Sequence, residues 1–298
     1  MKPFPANARV CFLGDSITAN GRYVALIADC YKKLFPDSGI RFFDCGTSGA
    51  GTKWLLDTFE TDIASHRPTH VCITIGINDS WRDHLSHPRD AERYQVLLER
   101  YRNWEKNYRE IIRRCRELGA EITLVSLPPY AEYQPGDSPV LPGAYALTVG
   151  YAAATKALAL EYGCGFADLH AYMTEKMQTE NIYAEDRVHP TPKGQLYMAE
   201  VILKSQGLAP VSGEEDAHIC ALQEKIAEYR RIAATEYLVI NDESLSTQEK
   251  LSAVKKYLEE ERWAQPNAMN FREIAELYLE IKPRQAELAA ELDALLTA

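Results

Sequence analysis

The chain has 298 residues, 46% hydrophobic and 10% aromatic, which supplies a buried core and excludes a disordered polymer. Its formal net charge of −10 is concentrated late: 18 acidic and 10 basic residues lie beyond position 210, against 25 and 23 before it. The nearly neutral front part lacks the basic face that nucleic acid or an anionic membrane requires, so neither is expected as a partner. No apolar run approaches the roughly 18 residues of a membrane span. The opening Met1-Lys2-Pro3-Phe4-Pro5-Ala6-Asn7 enters a strand pattern almost at once, leaving no room for a secretory signal. Seven cysteines without a C-x-x-C pair read as reduced thiols, and a cytoplasmic location is expected.

In chain order, residues 8–13 form an apolar strand pattern that stops at Gly14. A helical pattern follows over 23–34 and ends before Pro36. A second strand is predicted at 40–43 and a second helix at 54–63. Residues 70–75 form a third strand, apolar enough to be covered on both faces. A long helix over 91–118 leads to a strand at 122–125, and a proline-rich loop spans 128–142. A helix at 144–162, a last strand at 165–169 and a closing helix at 194–205 complete the alternation. Strands alternating with helices at this spacing imply a doubly wound α/β domain with a parallel sheet, assigned to residues 1–209. In such sheets ligands bind beyond the carboxyl ends of the strands.

Residues 210–298 change style, with helical patterns and no strands. Ile219, Leu222, Ile226, Tyr229 and Ala233 repeat at steps of three and four, as do Ile274, Tyr278, Ile281, Gln285, Leu288, Leu292 and Leu295. Such apolar stripes must be covered. The expectation is an all-helical C-terminal appendage that packs on the α/β domain or on a second copy, as a homodimer, or that forms a lid.

Four short islands fall at predicted strand ends: Gly14-Asp15-Ser16, Thr47-Ser48-Gly49, Gly76-Ile77-Asn78-Asp79 and Asp186-Arg187-Val188-His189. A serine on a tight turn after a strand, with a late Asp-x-x-His, supplies a nucleophile, a base and an orienting carboxylate. Acyl transfer through a covalent ester requires that set, because a free hydroxyl is a poor nucleophile at neutral pH. The Gly-x-Ser-x-Gly elbow of the α/β-hydrolases is absent. Gly46-x-x-Gly49-x-Gly51 does not match the dinucleotide fingerprint, and no phosphate-binding loop is present. Asp186 and His189 lack companion ligands at a metal-binding spacing, so neither metal nor organic cofactor is expected.

Together the islands resemble blocks I, II, III and V of the SGNH hydrolase superfamily, also called GDSL esterases and lipases. The resemblance covers roughly residues 8–206. It implies Ser16 as nucleophile, His189 as base and Asp186 as its orienting partner. It also implies an oxyanion hole from the backbone amides of Ser16 and Gly49 and the Asn78 side chain. Asp15 and Asp79 are expected to brace the two loops. Trp81 and Tyr130, with Tyr133 and Tyr145, are candidates for the substrate pocket. Many relatives carry Asn-x-Gly in block II where this chain has Asp44-Cys45-Gly46, which puts the hydrogen bonding there in question. The implied function is serine-dependent hydrolysis of a small ester, foremost an O-acetylated carbohydrate. Alternatives are an acyltransferase, a lipase or thioesterase on the same triad, or a non-catalytic binding protein on the same scaffold.

Overall fold

The computed structural model describes residues 1–80 and 91–209, together with the single positions 224, 246 and 290. The predicted C-terminal helices and Trp81 lie outside these residues. Five strands form one parallel sheet: β1 (Arg9–Gly14), β2 (Arg41–Gly46), β3 (His70–Thr74), β4 (Glu121–Val125) and β5 (Gly165–Ala167). The order β2-β1-β3-β4-β5 is that of a doubly wound sheet whose topological switch point lies between β1 and β3. Val10, Cys11, Phe12 and Leu13 are wholly buried, as a central strand covered on both faces demands.

Helices close both faces. On one side α2 (Arg22–Leu34), α6 (Leu169–Lys176) and α7 (Pro192–Ser205) enclose a core with Phe12, Ile27, Met173, Met198 and Ile202. On the other, α3 (Thr52–Asp57), α4 (Ala91–Glu117) and α5 (Ala144–Tyr162) enclose Leu13, Ile73, Ile111, Tyr151 and Leu158. On α4 the buried side chains Trp104, Tyr108, Ile111, Ile112 and Cys115 recur on one helical face. Burying side chains such as Ile111 and Ile112 contributes roughly 1.5–3 kcal/mol each. Two polar tips on that face add direction: the Trp104 indole donates to the Ile75 carbonyl at 3.2 Å and the Tyr108 hydroxyl to the Ile73 carbonyl at 3.3 Å. The end of β3, from which the Asn78 loop departs, is thereby held from below.

Four predicted elements need correction, the first being the strand expected over 40–43, which stays paired with β1 as far as Gly46. The helix expected over 54–63 is α-helical only from Thr52 to Asp57, followed by a π-type turn at Phe59–Ile63 and a tight 3-10 turn at Ala64–His66. The Thr58, Thr61 and Ser65 hydroxyls each donate to a carbonyl three or four residues back, which competes with regular helical bonding. The strand expected to reach position 169 stops at Ala167, because Asp168 caps α6 by accepting the Ala171 N–H at 3.2 Å. The helix α6 itself was not anticipated. The closing helix begins earlier than position 194, with Thr191 as cap and Pro192 in its first turn.

Candidate active site

The ends of β1, β2 and β3 are level: Gly14 pairs in register with Gly46 on one side and Thr74 on the other. Three of the four sequence islands therefore leave the sheet at one height, beside the switch point. Into this edge packs α1 (Ser16–Ala19), and it packs very close. A Cβ on Gly46 would lie 2.3 Å from the Ala19 nitrogen, so only glycine admits the helix there. Asp15 caps α1 by accepting the Ile17 N–H at 2.9 Å, which leaves Ser16 half-buried at the first helical position.

The fourth island arrives from the other end of the sequence. Ala184 N–H donates to the His189 carbonyl at 2.8 Å and Thr191 N–H to the Ile182 carbonyl at 2.9 Å, closing a tight loop ahead of α7. From this loop His189 Nε2 meets Ser16 Oγ at 2.7 Å. Its Nδ1 is hydrogen-bonded to Asp186 Oδ2. The other carboxylate oxygen, Oδ1, accepts the Val188 and His189 N–H groups, both at 2.9 Å. Burial pushes the Asp186 carboxyl upward, but the imidazole and those two backbone donors outweigh it and hold it well below the usual carboxylate range. An ionised acceptor on Nδ1 fixes the tautomer that leaves Nε2 free to take a proton from Ser16.

Gly49 has φ of 76°, a left-handed turn that glycine adopts without strain. Among the described residues neither the Ser16 nor the Gly49 backbone N–H donates to a protein acceptor. Asn78 Nδ2 donates to the Ala50 carbonyl at 2.8 Å, which ties the β3 loop to the β2 loop and leaves its second N–H uncommitted. Asp79 braces the same junction: both its oxygens accept the Thr52 N–H, at 3.1 and 3.0 Å, and Oδ1 accepts the Thr52 hydroxyl at 2.5 Å. Burial nevertheless raises the Asp79 pKa. The departure in block II finds its answer in Asp44, whose Oδ1 accepts the Gly46 N–H at 2.7 Å and stabilises that turn from its own side chain.

Two residues that tie this site together escaped the sequence reading. Gln195 on α7 is buried; its amide nitrogen donates to the Ile17 carbonyl at 3.2 Å and its oxygen accepts the Tyr23 N–H at 3.3 Å. It thus joins the helix after His189 to the turn that carries Ser16. Arg187 is buried within the Asp-x-x-His island itself. Neither belongs to a recognisable spacing, since their partners are backbone groups distant in sequence. Tyr130, expected in the pocket, is 2% exposed and packs with Ile77, Ala144 and Val188 behind the two loops. Tyr133, by contrast, is 81% exposed, and its ring lies 6.3 Å from that of Tyr145. A cavity of about 570 Å³ has Asp79, Lys53, Arg100 and Asn107 in its wall. Among the described residues no three His, Cys, Asp or Glu side chains cluster as a metal site, and no helix is long and apolar enough to cross a membrane.

The family of GDSL-like lipases and acylhydrolases matches residues 12–196. An acetylxylan esterase from Geobacillus stearothermophilus is 30% identical over 216 residues, spanning 67% of this chain and 94% of that protein. A crystal structure of an acetylxylan esterase from the same organism superimposes with a TM-score of 0.59 at 29% identity, covering 72% of this chain and 100% of the other. A gut microbial diltiazem-metabolizing enzyme shares the fold, with a TM-score of 0.74 at 18% identity over 100% of this chain and 95% of its own. The chain belongs to the GDSL-like lipase/acylhydrolase family and is a carboxylic ester hydrolase.

Proposed function

We propose that the chain removes acetyl groups from an O-acetylated carbohydrate through a covalent acyl-enzyme on Ser16. The observation that carries this reading is the hydrogen-bonded relay from Ser16 Oγ through His189 to Asp186. Ser16 Oγ attacks the ester carbonyl while His189 Nε2 takes its proton. The tetrahedral oxyanion is held by the Ser16 and Gly49 N–H groups and the Asn78 amide, donors preorganised before the charge develops. Collapse expels the sugar hydroxyl, protonated by His189, and leaves acetyl-Ser16. Water, deprotonated by His189, attacks that ester and releases acetate. Asp186 remains ionised throughout, orienting the imidazole and stabilising its charged form. Asp15 and Asp79 hold the loops and take no part in the proton transfers.

The carbohydrate assignment draws on the acetylxylan esterase relative and on the exposed Tyr133 beside Tyr145, beyond the carboxyl end of β4. Tyrosine rings present an apolar face and a polar rim, which suits the C–H face of a pyranose. The test is a panel of acetylated xylo-oligosaccharides and p-nitrophenyl esters of increasing acyl length, with and without an unacetylated sugar acceptor. Acetate release from the sugars, with rates falling as the acyl chain lengthens, is expected. Preference for long acyl chains with no acetate released from sugar contradicts the substrate assignment. Transfer to the acceptor in place of water turns the hydrolase into an acyltransferase.

A further inference from the structure

Arg187 stands between Asp186 and Val188 with φ of 66°, a backbone conformation that residues with side chains seldom adopt. Such a residue persists only where its surroundings hold it. The side chain is 7% exposed, and the hydrogen-bond acceptors of its guanidinium are all backbone carbonyls of one segment. Nη2 donates to Gly136 O at 2.8 Å, Nε to Ser138 O at 3.2 Å and Nη1 to Gln134 O. The main chain repeats the attachment. Ala131 N–H donates to the Arg187 carbonyl at 3.0 Å, and Ser138 N–H to the Glu185 carbonyl at 3.2 Å. The fit is close, since a Cβ on Gly136 would lie 2.5 Å from the Glu185 carbonyl oxygen.

The planar fork of arginine, with five donors in fixed directions, can grip three carbonyls at once; an ammonium group has no such geometry. The grip acts one residue after Asp186 and two before His189. Any rotation of the 186–188 backbone turns the Asp186 carboxylate, which depends on the Val188 and His189 N–H groups and on the imidazole. We infer that Arg187 is a positioning residue: anchored to the 134–138 segment, it fixes the turn that aims Asp186 at His189. The inference rests on the roles proposed above for Asp186 and His189.

Three variants test it. Arg187→Gly removes the grip while suiting the left-handed backbone, so it separates loss of contacts from strain. Arg187→Lys keeps the charge but not the fork. Gly136→Ala leaves Arg187 intact and wedges the gripped segment away from Glu185. Arg187→Gly and Gly136→Ala are expected to lose kcat on the order of 10- to 100-fold with KM nearly unchanged. Arg187→Lys should fall between them and the wild type. The downfield proton resonance of the His189 Nδ1–H should weaken in parallel. A merely structural residue would lower the melting temperature and leave that resonance and the kcat per folded molecule untouched. Folded Arg187→Gly and Gly136→Ala proteins with wild-type kcat and an unchanged resonance would overturn the inference. Ser16→Ala, measured in the same assay, separates the two levels. Its loss of turnover alongside fully active Arg187→Gly sinks this inference alone, whereas its retention of turnover removes the catalytic reading and this inference with it.

Discussion

The two loops that meet at the Ser16–His189 hydrogen bond each carry an aspartate beside a residue of the proposed relay, and they treat it in opposite ways. Asp186 accepts three hydrogen bonds, from one imidazole and two backbone N–H groups, and its pKa falls below the usual carboxylate range. Asp15 is 1% exposed; its Oδ1 accepts the Ile17 N–H, and its Oδ2 has no hydrogen-bond partner among the described residues. Burial pushes its pKa up to about 6, partly offset by that single N–H and by the nearby His189. The same side chain is an ionised electrostatic partner in one loop and a capping group under desolvation strain in the other. The difference lies in the fuller burial of Asp15 and in the donors each carboxylate receives, the His189 imidazole first among those of Asp186.

Asp186→Asn breaks the comparison most severely. It keeps the shape but offers an amide in place of the charge, so the wrong histidine tautomer is favoured. Loss of kcat on the order of 10⁴-fold is expected, with the fold intact by circular dichroism. Activity within tenfold of wild type would remove Asp186 from its orienting role.

Asn78→Ala comes next. It deletes one donor of the proposed oxyanion hole and unties the Ala50 carbonyl, and should lower kcat on the order of 10²-fold or more. Steady-state kinetics on p-nitrophenyl acetate suffice, and a change confined to KM would show that Asn78 binds substrate rather than the developing charge.

The smallest kinetic effect is expected at Asp15, where stability carries the information. A carboxyl raised in the folded state contributes stability below its unfolded pKa and loses it as pH rises through the folded value. For Asp15 the loss therefore runs from about pH 4 to above pH 6, and at neutral pH it is worth roughly 3 kcal/mol. Asp15→Asn, which keeps an acceptor for the Ile17 N–H, should melt higher than wild type at pH 8 and gain nothing at pH 4. Thermal melts at the two pH values check this, and a variant less stable than wild type at pH 8 would contradict it. Asp186 behaves in the opposite sense: its depressed pKa contributes stability above the unfolded carboxylate value, and this is lost only in stronger acid.

The regular part of the fold was legible because its signals are local. The apolar runs that became β1 and β3 and the one-sided helix α4 follow from periodicity, and three of the four islands stand at strand ends as a doubly wound sheet requires, whereas Asp186–His189, expected at a strand end, lies in the loop between α6 and α7. The turn at Phe59–Ile63 and the helix α6 were less visible, since they depend on back-bonding hydroxyls in the first case and on one capping side chain in the second, each competing with the regular pattern. The meeting of residues 16 and 189 was legible only through resemblance, because no local rule links positions so far apart. The long-range ties were not legible at all. The bridge made by Gln195 and the grip of Arg187 are bonds to backbone atoms, which leave no residue-type pattern. Tyr130 illustrates the converse limit: an aromatic residue on a loop reads as pocket-lining until its burial against Val188 is known.

The proposed mechanism requires a single covalent event at Ser16. Brief incubation with a fluorophosphonate, or with p-nitrophenyl acetate followed by acid quenching, and peptide mass spectrometry should find one adduct, on the peptide carrying Ser16. The adduct should be missing from Ser16→Ala, together with nearly all ester hydrolysis. An adduct on another residue, or wild-type turnover in Ser16→Ala, would contradict the mechanism.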